Sequence, residues 1–203
     1  MFIPKHFEVT DMNEVRNFIR SNSFGIIVTT NQGVPTATHL PLELTEIDGE
    51  SYITGHFAKA NPQWKTLTGQ EGKVLIIYQG PHAYISSTWY EDENVSTWNY
   101  QAVHIYGTPS ILDEDALKED LKRLMHKYEG HKENGAVWEN TSADTKKQIN
   151  GIVGFKIKVE EVQAAYKLSQ NRNEKDYKNV IDKLYEEKDP NAHKVADAMK
   201  KLK

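Results

Sequence analysis

Residues 54–64 contain the chain's clearest candidate for binding an anion. Glycine and small residues lead from a predicted short strand at 51–53 to a predicted helix start at Asn61-Pro62. Asn61 is a typical N-cap, and proline suits the first position of a helix. Free backbone N–H groups at a helix start attract anions, and Lys59 adds a full positive charge. The segment therefore predicts a site for the phosphate of a nucleotide-like cofactor. The alternative is an ordinary strand–helix junction with a solvent-facing lysine.

A second candidate is the aromatic stretch Trp98-Asn99-Tyr100. Because side chains alternate along a strand, Trp98 and Tyr100 share one face and Asn99 lies on the other. Aromatic and amide groups would suit a flat heterocycle, through stacking and hydrogen bonds to its edge. The alternative is an aromatic-rich strand that serves only packing.

A third candidate is the polar stretch 167–172, which follows the last predicted strand and ends in Arg172. A guanidinium at a strand end could reach a phosphate or a carbonyl group. The alternative is a capping loop before the helix that starts near Glu174.

The chain offers little for chemistry without a cofactor. None of the eight histidines stands in a metal-ligand pattern such as H-x-x-x-H, although His39 and His56 lie near predicted strand ends. No metal site is expected. The absence of cysteine excludes disulfides and thiolate nucleophiles. No Ser-His-Asp or paired-carboxylate arrangement stands out, so no catalytic side chain is assigned, and any catalysis would depend on a cofactor.

Composition indicates a soluble protein. The 203 residues are 38% hydrophobic and 27% charged, and no apolar run is long enough to span a membrane. The N-terminus has no apolar signal core, so a cytoplasmic location is expected. The net charge of −4 argues against a surface that grips nucleic acid throughout. Residues 167–203 are modestly basic, with ten Lys or Arg against seven Asp or Glu, but contain no convincing helix-turn-helix.

The candidate residues must be positioned mainly by antiparallel strands, because the predicted strands follow one another too closely for βαβ crossovers. The result is an α+β protein built on a barrel or sandwich. Strands are predicted at 24–30, 34–44, 51–53, 73–79, 82–90, 98–112 and 153–159, and helices at 11–22, 61–68, after Asp113, near 177–184 and after Asp189.

Taken together, motifs spread over the whole chain resemble the PaiB family. Several have six or more residues in register, so the match is specific as a set. The motifs are residues 1–7, Thr38-His39-Leu40-Pro41-Leu42, residues 55–64, residues 79–86, Thr97-Trp98-Asn99-Tyr100, residues 103–107 and residues 167–172.

The resemblance implies an antiparallel Greek-key split β-barrel of the FMN-binding type, with peripheral helices, over residues 1–172. Residues 173–203 would form a C-terminal helical pair packed on or near the barrel. Such proteins are usually homodimers with FMN at the subunit interface. Members are described as negative transcriptional regulators of sporulation and degradative-enzyme production.

The resemblance also implies roles for particular residues. Lys59 would be the cation beside the phosphate. The other residues carried over as cofactor-binding are His39, Thr54, His56, Asn61, Trp98, Asn99, Tyr100, Gln170 and Arg172. The sequence departs from the family pattern at Phe2, where tyrosine is common, and at Lys59, where arginine is frequent. Lysine keeps the charge but cannot form a bidentate fork.

Other functions remain open at this stage. The alternative to a regulator, acting on DNA directly or through a partner, is an FMN-dependent oxidoreductase resembling flavin reductases and using NAD(P)H. A haem-binding relative of the same barrel, with a histidine ligand, is a third possibility.

Overall fold

A seven-stranded sheet forms the framework of the protein. The computed structural model describes residues 1–68 and 73–202. Each strand pairing resolved residue by residue, β1 with β2 and β5, and β4 with β3 and β7, is antiparallel. The order across the sheet is β2-β1-β5-β6-β7-β4-β3. The strands are β1 (Phe24–Asn31), β2 (Val34–Pro41), β3 (Glu43–Ile47), β4 (Glu50–Ala58), β5 (Val74–Ile85), β6 (Thr97–Ile111) and β7 (Ile152–Lys167).

The helices begin where local capping signals predict. The side chain of Asp113 accepts a hydrogen bond from the amide of Ala116 at 2.8 Å, and Asn173 caps its helix in the same way through Asp176. The α-helices are α1 (Met12–Ser21), α2 (Glu114–Glu129), α3 (Ala143–Lys146), α4 (Glu174–Glu186) and α5 (Pro190–Leu202), and short 3₁₀ helices lie at Lys5–Phe7, Pro62–Leu67, Ser87–Trp89, Trp138–Asn140 and Lys147–Gly151.

The predicted strand 34–44 is interrupted at Leu42. Its side chain is fully buried, and its backbone N–H donates to the carbonyl oxygen of Ser23 at 2.7 Å. The chain therefore leaves β2 at Pro41 and resumes as β3 at Glu43. This agrees with the irregularity expected from the two prolines.

The sequence predicts that Gly80-Pro81 separates two strands. This is wrong, because β5 runs continuously through both residues. A Cβ added to Gly80 would lie 2.6 Å from Cε2 of Phe18. The glycine therefore lets the ring of Phe18, on α1, pack against the strand. The alternation of buried and exposed side chains also shifts by one position at Gly80-Pro81: Tyr78 is buried before this pair, and Ala83 is buried after it. A change of phase within a strand is typical of a bulge or bend at glycine.

Strands β4 and β7 are both longer than predicted. β4 extends from Glu50 to Ala58 rather than over 51–53, and β7 continues to Lys167. Gly55 lies opposite Phe155, and Ala58 opposite Ile152. Pairing with β7 thus keeps the glycine-containing segment extended, where local sequence indicates a turn.

The chain divides into two compact units. Unit 1 comprises Met1–Phe18, Tyr78–His104 and Gln163–Lys203; unit 2 comprises Ile19–Ile77 and Ile105–Val162. The predicted domain boundary at residue 172 stays a prediction. Over the described ranges, the helices are too short or too polar to cross a membrane. The core of unit 1 includes Tyr78, Val103, Tyr166, Val180, Leu184, Val195 and Met199; that of unit 2 includes Ile27, Ile53, Phe57, Ile76, Phe155 and Ile157.

Candidate functional site

Lys59 lies just beyond β4, and its backbone is held from both sides. Its N–H donates to the carbonyl oxygen of Gly151 at 2.8 Å, and its carbonyl oxygen accepts from the indole Nε1 of Trp64 at 3.1 Å. The side chain is exposed and has no ion-pair partner within residues 1–68 and 73–202. Lys59 is therefore a positive charge on a fixed backbone, available to an anion.

The backbone amides around Lys59 do not form the anion-binding helix start that the sequence predicts. The N–H of Asn61 donates to the carbonyl oxygen of Ala58 at 2.8 Å, that of Gln63 donates to Asn61 Oδ1 at 3.0 Å, and proline has none. The predicted helix at 61–68 is only the 3₁₀ helix Pro62–Leu67. The N–H groups of Lys59, Asn61 and Gln63 are therefore engaged, and the positive charge here is that of the Lys59 side chain.

Asn61 connects this segment to β2. Its Nδ2 donates to Thr38 Oγ1 at 3.0 Å, and Thr38 Oγ1 donates to Gln63 Oε1 at 2.5 Å. Gln63 is only 2% exposed. Sequence reasoning missed Gln63, because nothing in its local pattern distinguishes a buried anchor from a solvent-facing helical glutamine.

His39 lies on the opposite face of β2 from Thr38, because neighbouring side chains alternate along a strand. It is exposed, and its ring stacks at 6.3 Å from that of Phe24. Within unit 2, therefore, the structure does not place His39 on the face that carries the Asn61 contact.

Thr54 and His56 lie two residues apart on β4. Thr54 is 1% exposed, and its hydroxyl is 3.5 Å from that of Thr45. His56 is half-buried, and its Nδ1 is buried without a hydrogen-bond partner in the described part of the chain. Burial lowers the pKa of His56, and the Asp120 carboxylate opposes that shift. His56 is consequently a neutral imidazole with one unused polar atom near pH 7.

Trp98 presents an aromatic surface in unit 1. Its side chain is 52% exposed, and the ring lies 6.1 Å from Tyr84 and 6.0 Å from His82, both on β5. Tyr100 follows on the same face of β6 and is half-buried. This arrangement could stack against a planar ring.

Asn99 faces the interior, on the side opposite Trp98, as alternation predicts. It is 0% exposed, and its Nδ2 donates to Ser169 Oγ at 2.9 Å and lies 3.5 Å from Met199 Sδ. Its hydrogen-bonding groups are thus engaged inside unit 1.

Gln170 and Arg172 lie in the turn before α4, and their side chains make different contacts. Gln170 Oε1 accepts from the N–H of Leu168 at 2.7 Å, and its Nε2 donates to the carbonyl oxygen of Tyr166 at 2.5 Å. The Arg172 guanidinium lies 4.3 Å from the centroid of the Tyr90 ring. Its Nη2 also donates to Asn94 Oδ1 at 3.3 Å. Gln170 thus braces this turn, and Arg172, which ties the turn to the segment after β5, keeps further donors that these contacts do not use.

The predicted residues include one set of possible ligand contacts in each unit. In unit 2, Lys59 and Asn61 offer a cation and an amide, which suit a phosphate. In unit 1, Trp98 and Tyr100 offer aromatic surface, which suits a fused ring. The residues present therefore fit the two kinds of group that a flavin carries.

Sequence comparison finds relatives along the whole chain. The family model described as "Putative FMN-binding domain" matches residues 1–161. The chain is 57% identical over 205 residues to protease synthase and sporulation protein PAI 2 of Bacillus subtilis, covering 100% of this chain and 99% of that protein. It is also 30% identical over 138 residues to an uncharacterised protein of Saccharomyces cerevisiae, covering 57% of this chain and 81% of that protein.

Structural comparison identifies the fold. A flavocytochrome from Azotobacter vinelandii superimposes with a TM-score of 0.65 at 16% identity, covering 87% of this chain and 78% of that chain. An FAD- and haem-binding protein from Mycobacterium smegmatis does so with a TM-score of 0.61 at 13% identity, covering 79% and 73%. The predicted fold class, an α+β split barrel of the flavin-binding type, is confirmed.

Proposed function

This chain belongs to the PaiB family, and from that premise we propose that it is a flavin-binding negative regulator of degradative-enzyme production and sporulation. One observation carries the proposal: the 57% identity extends over the entire chain and over 99% of the Bacillus subtilis protein named for protease synthesis and sporulation. Identity at this level through both units supports a common function rather than a common fold alone.

FMN is the proposed cofactor, supported by the name of the family model that matches residues 1–161. When bound, a flavin supplies one- and two-electron redox chemistry. Lys59 would neutralise the phosphate, and Asn61 would donate one hydrogen bond beside it through the N–H that it does not give to Thr38. Trp98 and Tyr100 would stack on or flank the ring and shield it from water.

The other residues inferred from the family are proposed to support the site rather than to contact the phosphate or the ring directly, or to contact a ligand held by a partner subunit. Thr54 and His56 lie on the strand that leads to Lys59, and Asn99 and Gln170 hold the backbone of unit 1 through their own contacts. His39 and Arg172 keep polar atoms available on exposed or half-exposed side chains. In a homodimer with the cofactor at the interface, either could reach a ligand held by the partner subunit.

The proposed setting is a cytoplasmic homodimer that acts on transcription either directly on DNA or through a protein partner. The net charge and the mixed charges of α4 and α5 favour the indirect route. Replacing the exposed Lys194 and Lys201 with Glu separates the routes, because direct contact predicts the loss of a salt-sensitive gel shift. Sedimentation with and without FMN tests the dimer.

The proposal is tested first by the visible absorption of purified protein titrated with FMN. Wild type should bind, and Lys59→Glu should bind much more weakly because it places a negative charge beside the phosphate. Lys65→Glu is the matched control, since Lys65 is also exposed and lies in the adjacent 3₁₀ helix. Wild type that remains colourless and ignores FMN would refute the flavin assignment.

The regulatory role is tested in a host strain that lacks the gene. Wild type should restore repression of extracellular protease and sporulation, and Lys59→Glu should not if the flavin sets the regulatory state. Steady NAD(P)H turnover with an electron acceptor would instead favour the alternative, a flavin reductase-like enzyme.

A further inference from the structure

Gln63 is a buried glutamine whose side chain is fully used. At 2% exposure it lies beneath the β1–β2 hairpin, in the 3₁₀ helix that follows Lys59. All its side-chain contacts lie within unit 2. Its Nε2 has two N–H groups, which are shared among three acceptors: Ile27 O at 3.2 Å, Thr29 Oγ1 at 3.1 Å and Thr36 O at 3.0 Å. Its Oε1 accepts from Thr38 Oγ1 at 2.5 Å.

These contacts continue to the residues proposed to hold the phosphate. Thr38 Oγ1, which donates to Gln63, also accepts from Asn61 Nδ2 at 3.0 Å. The Gln63 N–H donates to Asn61 Oδ1 at 3.0 Å, and the neighbouring Trp64 donates its indole N–H to the carbonyl oxygen of Lys59 at 3.1 Å. Gln63 thereby ties both the Asn61 side chain and the backbone after Lys59 to the hairpin.

A polar anchor is needed because the segment has little stability of its own. The 3₁₀ helix Pro62–Leu67 has six residues, and such short helices depend on tertiary contacts. Leucine or methionine could fill the same volume, but neither could satisfy the strand carbonyls or hold the Thr38 hydroxyl, to which the Asn61 side chain donates. A satisfied buried amide fixes one geometry where an apolar side chain would allow several.

We propose that Gln63 is a positioning residue that preorganises Asn61 and the Lys59 backbone for the phosphate of the flavin. The inference rests on the proposed function, because it assigns Gln63 to the phosphate side of that site. It predicts that loss of the Gln63 contacts weakens recognition of the phosphate and leaves recognition of the ring unchanged.

Comparison of FMN with riboflavin, which lacks the phosphate, isolates this effect. Dissociation constants for both are measured by flavin fluorescence in wild type and in the near-isosteric Gln63→Met. Wild type should prefer FMN. In Gln63→Met the ratio of the riboflavin dissociation constant to the FMN dissociation constant should fall about tenfold, because FMN binds more weakly while the affinity for riboflavin is nearly unchanged. If Gln63 had a purely structural role, the substitution would weaken the binding of FMN and of riboflavin by the same factor.

Thr68→Val is the matched control. Thr68 Oγ1 donates to the carbonyl oxygen of Lys65 at 3.0 Å at the end of the same 3₁₀ helix, and within residues 1–68 and 73–202 its side chain makes no hydrogen bond to Gln63, Asn61 or Lys59. Its ratio should equal that of wild type. If Gln63→Met fails to fold, Thr38→Val takes its place, since it removes the hydroxyl that joins Gln63 to Asn61 and should lower the ratio in the same direction.

The outcomes separate the two proposals. Wild type that binds neither ligand overturns the proposed flavin function and this inference with it. Wild type that binds both equally shows that the phosphate is not recognised and overturns this inference alone. The same conclusion follows if the Gln63→Met and Thr38→Val variants that fold keep the wild-type ratio, or lose both ligands in proportion.

Discussion

Asn99 and Ser169 share a hydrogen-bonded contact in the interior of unit 1. Asn99 Nδ2 lies 2.9 Å from Ser169 Oγ, and Ser169 Oγ lies 3.2 Å from Asn99 Oδ1. The two residues are 0% and 2% exposed, and Ser169 has a left-handed backbone with φ of +61°. The contact fastens β6 to the turn that leads into α4, directly behind the exposed Trp98.

The Asn99–Ser169 contact should be measurable as a coupling free energy. Asn99→Ala and Ser169→Ala should each lower the free energy of unfolding by about 1–3 kcal/mol, because each leaves a buried polar group unsatisfied. The double variant should lose less than the sum, with a coupling of about 0.5–3 kcal/mol. Urea denaturation of the four proteins measures this, and strict additivity would contradict it.

His56 should make stability depend on pH. Burial lowers the pKa of His56 below its value of about 6.5 in the unfolded chain. The unfolded state therefore binds the proton more tightly, so the free energy of unfolding should fall as the pH drops from 7.5 to 5.5. His56→Gln, which cannot titrate, should show a shallower fall in urea denaturation at the two pH values.

His104 contributes to the same pH dependence. Burial, reinforced by the N-terminal ammonium of Met1, also lowers the pKa of His104, so part of the fall should persist in His56→Gln. A His56→Gln slope equal to that of wild type would show that His56 gains its proton equally in both states.

Gly107 should not tolerate a side chain. A Cβ at this position on β6 would lie 1.9 Å from the carbonyl oxygen of Lys158 on β7, and backbone cannot rotate away as a side chain can. Gly107→Ala should therefore cost at least about 3 kcal/mol or prevent folding. Gly151→Ala is the control, since nothing lies within 4 Å of its added Cβ. Similar melting temperatures for the two variants would contradict the prediction.

Features that depend on neighbours in sequence were predictable. The turns at Gln32-Gly33 and Asp48-Gly49 have positive φ angles, which Gly33, Asp48 and Gly49 favour, and Asp113 caps α2. α1, predicted at 11–22, spans Met12–Ser21. In each case the deciding hydrogen bonds or dihedral angles lie within a few residues of one another.

Features that depend on distant strands were not predictable. Gly55 reads locally as the start of a turn, but β7, about 100 residues later, pairs with it and extends β4 to Ala58. Gly80 reads as a break between strands, but the Phe18 ring packs there and the strand continues. Pairing across a sheet overrides local propensity because each added residue gains contacts the local chain cannot supply.

The properties of the candidate site show the same division between what the local sequence sets and what distant parts of the chain set. The sequence by itself determined the chemistry available: the Lys59 charge, the Asn61 cap, the aromatic Trp98 and, through whole-chain motifs, the PaiB family. Only the tertiary structure decided which polar groups remain available. It committed Asn99 to Ser169 and Gln63 to the β1–β2 hairpin, because a buried polar side chain must find its hydrogen bonds wherever the fold places donors and acceptors.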